Sequence, residues 1–205
     1  MKKINHLKEL DAYYKQRKNI VSLVEVPEMQ FLMIDGTKGP NENPDYTDSV
    51  GALYKIAYTL KFIVKKGEMA VDYKVMPLEG LWWADNMANF NLNNRDNWKW
   101  TAMILQPDFI SQEMFAKAHR QAKKKSDNPK LEFVRLESFT EGLSMQIFHQ
   151  GPYGEMERNS IEKLHKKIEE EGFQLTGKHH EIYLNSPGRT APENLKTIIR
   201  QPMKK

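Results

Sequence analysis

The chain contains no cysteine. Disulfides, thiolate metal sites and cysteine nucleophiles are thereby excluded together, and chemistry without a cofactor, carried by carboxylates, hydroxyls and imidazoles, becomes the expectation. No apolar run approaches the length of a membrane span. The opening stretch from Met1 to Leu10 is charged and has no apolar segment of signal-peptide length, so a cytoplasmic location away from membranes is expected. There is no glycine-rich phosphate loop and no separable helix-turn-helix pattern. Charge of one sign is not concentrated either: 31 Lys and Arg against 27 Asp and Glu leave +4, spread along the chain. The longest basic run, Lys123-Lys124-Lys125, reads as a solvated helix end whose cations face the negative end of the dipole. Direct nucleic-acid binding is not expected.

What is present is globular in balance. With 205 residues, 40% of them hydrophobic and 28% charged, the chain suits one substantial core, a single domain over 1–205. Leu7, Leu10 and Tyr14 recur at helical spacing in a short amphipathic helix over 6–17 that caps the domain. Residues 21–27 and 31–36 read as two strands of a hairpin. After the turn-forming stretch 39–45, Val50, Leu53, Ala57 and Leu60 predict a helix over 45–65 that Gly67 ends. Strands follow at 71–77, at 81–84 and at 98–105. Between the last two, the asparagine-rich residues 85–97 predict a long loop suited to a lid. Ser111 caps a connecting helix reaching Lys125.

The pattern then restarts. Residues 131–136 and 143–149 read as strands about a turn at Glu141-Gly142, Ile161, Leu164 and Ile168 place a helix over 154–171, and strands close the chain at 179–184 and 195–201. Gly39-Pro40 matches Gly151-Pro152, and Gln106-Pro107 matches Gln201-Pro202. The shared order predicts an internal duplication, repeat one over about 20–107 and repeat two over about 131–202. The expected fold is α+β: duplicated βαββ-type, SHS2-like units forming one antiparallel sheet, two helices on one face and a ligand cleft on the other.

Alternation along 179–184 sends Ile182 and Leu184 to one face and His179, Glu181 and Tyr183 to the other. With the apolar pair against the helices, Glu181 and Tyr183 would project into the open cleft. Glu79, Trp82 and Trp83 occupy the matching region of the first repeat, and Trp98 and Trp100 share one face of their strand. A carboxylate walled by aromatic rings is desolvated; its pKa should rise, suiting it to hold a cation or act as a general base. Flat rings stack on flat ligands and add cation–π contacts. Trp82 and Trp83 suit a pocket wall or the core equally. Tyr153 suits a hydroxyl donor in the cleft or packing at a helix start. His179 and His180, being adjacent, face opposite ways and do not share a metal.

Two stretches, Trp98 to Pro107 and His180 to Thr197, resemble the GyrI-like small-molecule-binding superfamily in its stand-alone branch. The resemblance implies a duplicated unit with a glutamate at the centre of a ligand cleft, a position that Glu181 matches. It also implies planar, lipophilic, often cationic ligands and, in some members, hydrolysis of electrophilic cyclopropanoid xenobiotics for cell protection. On that resemblance Glu181 activates water or stabilises charge, Tyr183 orients it, Glu79 is a second carboxylate, and Trp82, Trp83 and Trp100 stack on the ligand; Trp98, Tyr153 and His179 are further candidate ligand contacts. No metal or cofactor is implied. Two other functions stay open: a module that binds drugs without turnover, and an inhibitor of a DNA enzyme acting through protein contact.

Overall fold

The computed structural model of the chain describes residues 2–40, 43–87 and 96–205. In chain order the elements are β1 (Lys2–Ile4), α1 (His6–Glu9), α2 (Asp11–Tyr14), β2 (Val21–Thr37), α3 (Pro44–Lys66), β3 (Val71–Tyr73), β4 (Leu78–Trp83), β5 (Lys99–Leu105), α4 (Gln112–Lys123), β6 (Arg135–Gln150), α5 (Glu155–Glu170), β7 (Gln174–Leu175), β8 (His179–Tyr183) and β9 (Lys196–Lys204). The fold is α+β. The main sheet runs β6-β2-β5-β4-β8-β9-β7, and β6 also pairs with β9. Six strands thus close on themselves into a barrel, which removes all but short edges. β1 and β3 form a separate two-stranded parallel sheet.

Two expected hairpins are replaced by single long strands, and Leu131 to Phe133, expected as strand, lie in the 3₁₀ turn Pro129–Phe133 that precedes β6. β2 runs unbroken through Pro27, pairing β6 along Val21 to Met33 and β5 only from Phe31 onward. Pro27 therefore sits where β2 has one neighbouring strand, and its missing N–H costs no second ladder. In β6, Gly142 carries φ of +75° yet stays paired with Val26. Its left-handed backbone bends the strand instead of reversing it. The two long strands lie antiparallel along each other, so the halves meet at this seam. The helix expected at the N-terminus is two four-residue pieces, α1 and α2, that meet at Leu10.

The helices keep their expected places. Asn43 caps α3, its side chain accepting from the Asp45 N–H at 3.1 Å, and Pro44 follows in the first turn. Ser111 caps α4 through the Met114 N–H at 3.2 Å. α3 buries Leu53, Ile56, Ala57 and Leu60, one apolar stripe, in a core shared with Leu32, Ile34, Ala102 and Ile104. α5 packs Ile161, Leu164 and Ile168 on Met145, Ile147 and Ile199. Each such Leu or Ile contributes about 1.5–3 kcal/mol by leaving water. Residues 88–95 of the expected lid lie outside the described residues.

Candidate functional site

β4 and β8 are neighbours, with Gly80 opposite Glu181 and Trp82 opposite His179. On the other side of β8, Glu181 stands opposite Ile199, which belongs to the cluster packed on α5. Glu181 and Tyr183 therefore share the helix-bearing face. The alternation was legible, but its sense is reversed: Ile182 and His180 turn toward the barrel interior, a face that is buried as well. The site opens between α3 and α5, a cavity of about 900 Å³ walled by Tyr46 and Tyr54 of α3, Trp82, Trp98, Tyr153, Glu157, Glu181 and Tyr183.

Glu181 is 7% exposed and held at both oxygens. Tyr183 donates to Oε2 at 2.7 Å, and His179 Nε2 lies 3.1 Å from Oε1. The indole N–H of Trp82 donates in turn to the Tyr183 hydroxyl at 3.1 Å. A relay from Trp82 through Tyr183 thus ends on the carboxylate and fixes its orientation. Glycine at position 80 makes room for it: a Cβ there would stand 2.7 Å from Trp82 Nε1 and 3.1 Å from the Tyr183 oxygen. Burial, followed by the negative charge of Glu181, pushes the Tyr183 hydroxyl well above its ordinary value. Burial likewise pushes Tyr153 up to about 12, with Glu181 and Glu157 adding to it. Both hydroxyls stay protonated beside the carboxylate, Tyr183 as its donor.

The tryptophans divide. Trp82 and Trp98 line the cavity, their rings 5.5 Å apart. Trp100 stands behind, 1% exposed, in edge contact with Tyr46 at 5.1 Å and donating to the Thr37 carbonyl. Trp83 lies under Lys178, whose ammonium is 3.4 Å from the ring centroid, and is not part of the cavity wall. His179 acts on the cavity through Glu181. Tyr153 meets Tyr183 edge to face at 6.0 Å.

Glu79 is elsewhere. It is fully buried on the opposite face, accepting from Tyr14 at 2.6 Å and lying 3.0 Å from His180 Nε2. The Nδ1 of His180 lies 2.9 Å from Glu141, and Arg200 donates to the same carboxylate at 2.8 Å. Both ring nitrogens of His180 face carboxylate oxygens, which only accept, so both carry protons. Burial opposes that charge, but Glu141 and Glu79 outweigh it and raise the pKa to about 9. For Glu141, burial is outweighed by His180 and Arg200, which bring it down to about 2. Glu79 and Glu181 thus do not form a carboxylate pair.

Several cavity residues lie outside the sequence expectations, Tyr46, Tyr54 and Glu157 among them. Tyr46 opens α3 and stacks at 5.7 Å from Trp82. Glu157, 3% exposed, accepts from the Gly154 N–H at 3.3 Å. A glutamate three residues into a helix is a capping signal, and that is the one local signal its position carries. Among the described residues no group of three or more His, Asp or Glu side chains is placed to hold a metal ion.

A closed antiparallel barrel flanked by two helices, with a buried carboxylate at the base of an aromatic cavity between them, defines a small-molecule-binding domain. The chain belongs to the GyrI-like family: the GyrI-like small molecule binding domain matches residues 21–204. Among solved structures it is similar to an uncharacterised conserved protein from Listeria innocua, at 40% identity and TM-score 0.89, covering 98% of this chain and 100% of that one. Two hydrolases from the same organism are similar as well. One has 39% identity, TM-score 0.87 and coverage of 99% and 100%. The other has 38%, 0.84 and coverage of 98% and 100%. No match was found among curated protein sequences. No helix among the described residues is long and apolar enough to cross a membrane.

Proposed function

We propose that the chain binds planar, lipophilic or cationic small molecules in the Glu181 cavity and hydrolyses electrophilic cyclopropanoid xenobiotics, protecting the cell. The observation that carries this reading is the oriented carboxylate of Glu181, buried among Trp82, Trp98, Tyr46, Tyr153 and Tyr183. Aromatic walls take up the flat conjugated ligand and exclude bulk water. Glu181 accepts a proton from the water that attacks the strained carbon. The ring C–C bond breaks, its electron pair passes into the conjugated carbonyl, and that oxygen takes up a proton. Release of ring strain supplies much of the driving force, so one general base in a dry pocket suffices. The similar hydrolases from Listeria innocua support a reaction of this class. Incubation with a cyclopropane-bearing DNA alkylator tests the proposal: a product one water heavier supports it, and recovery of unchanged compound from the complex contradicts it.

One observation favours a second reading, a drug-binding module without turnover. Both Glu181 oxygens already accept hydrogen bonds, from Tyr183 and His179. That arrangement suits a fixed counter-ion for a cation as well as it suits a base.

A further inference from the structure

The stretch before residue 21 precedes the matched family domain, yet Leu7 and Tyr14 line the cavity together with Glu181 and Trp82. α1 and α2 have four residues each, too short to hold their own shape. α2 is held from beneath at three successive residues, and α1 joins it at Leu10. The Ala12 carbonyl accepts from Gln146 at 3.0 Å, the Tyr13 carbonyl from Arg200 at 2.6 Å, and the Tyr14 hydroxyl donates to Glu79 at 2.6 Å. The three anchors are one connected group: Arg200 donates to Gln146 and Glu141, Glu141 meets His180, and His180 meets Glu79. A buried ionic cluster of this kind is weak evidence for stability, since apolar side chains of equal volume often do as well. Here its ends converge on one short segment, and the far side of that segment is cavity wall.

We propose that residues 7–14 are a ligand-contacting wall that sets which molecules the cavity accepts, with Leu7 and Tyr14 as contact residues and Glu79 as the positioning residue that holds Tyr14. The proposal rests on the Glu181 cavity being the ligand site. It assigns Glu79 a role in specificity without contact with the ligand. The ligands selected are elongated planar ones, whose cationic end meets Glu181 and whose apolar end reaches Leu7.

The absence of cysteine makes the test direct, because one introduced thiol reports on its own surroundings. Leu7→Cys and Ile20→Cys proteins are labelled with a small maleimide, with and without ethidium as a planar aromatic cation. Ile20 is 45% exposed and does not line the cavity. At ethidium about ten times Kd, labelling at position 7 slows about tenfold and labelling at position 20 is unchanged. In the Leu7→Cys background, Tyr14→Phe and Glu79→Ala speed labelling of the free protein, and Glu79→Gln, which keeps an acceptor for Tyr14, restores the slow rate. Should Glu79→Ala fail to fold, Tyr14→Phe gives the same reading. Unprotected position 7 in a protein whose ethidium binding depends on Glu181 overturns this inference and leaves the cavity reading standing. Ethidium binding that is absent, or indifferent to Glu181→Gln, overturns both.

Discussion

Glu79 and Glu181 lie one register step apart on paired strands, Glu79 opposite Ile182 and Gly80 opposite Glu181, and their side chains leave opposite faces of the sheet. Strand alternation alone separates two buried carboxylates that are near neighbours along the ladder. One serves the cavity and the other the barrel interior.

Their substitutions should separate accordingly. Glu181→Gln is expected to weaken binding of a planar aromatic cation about 10- to 100-fold, the loss of a desolvated charge contact of about 1.4–3 kcal/mol. Glu79→Gln is expected to change affinity only a few-fold while lowering stability by about 1–3 kcal/mol, through the weakened His180 contact. Titration calorimetry and denaturant melts on the same preparations check both.

The buried His180–Glu141 pair gives stability a pH profile. His180 has a folded pKa of about 9, above its ordinary 6.5. Its contribution is therefore complete below about pH 6.5 and is lost as pH rises through about 9. Glu141 is depressed from 4.5 to about 2, so its contribution is present above about pH 4.5 and is lost as pH falls through about 2. Melting temperature should hold a plateau between these windows. His180→Gln should flatten the alkaline fall.

Much of this was legible in the sequence. The helices around Leu53 and Leu164 follow from apolar spacing, and the start of α4 follows from the cap Ser111; both are local signals. The period of two along β8 put Glu181 and Tyr183 together. What was not legible depends on long-range pairing. Pro27 and Gly142 look like turn residues until β2 and β6 are known to lie side by side. Which face of β8 meets a helix cannot be read from Ile182, because in a closed barrel both faces are buried. Trp83 and Trp100 are compositionally equal to Trp82, and only Lys178 and Tyr46 distinguish their places.

Glycine 80 offers a test of the relay. Gly80→Ala should displace Trp82 and Tyr183, since the added carbon would meet both polar atoms. Overpacking of this kind costs about 1–3 kcal/mol, and ligand affinity should fall along with stability. At Gly142 nothing lies within 4 Å of an added carbon. There Gly142→Ala should cost stability only, through its φ of +75°, by about 1 kcal/mol. Binding assays on the two variants distinguish a site glycine from a bend glycine.

The tryptophans should divide the same way. Trp82→Phe removes the donor to Tyr183 and part of the aromatic wall, with an expected loss of about 0.5–1.5 kcal/mol in binding. Trp83→Phe should leave ligand affinity unchanged, because that ring is occupied by Lys178. Fluorescence titration measures the difference.

Hydrolysis in oxygen-18 water tests most directly the proposed role of Glu181 as the base of a hydrolytic site. Wild-type protein incubated with a cyclopropane-bearing alkylator should give ring-opened product carrying one labelled oxygen, at a rate that Glu181→Gln reduces by about 10²- to 10⁴-fold. Tight binding with no labelled product, or labelled product formed equally fast by Glu181→Gln, would contradict it.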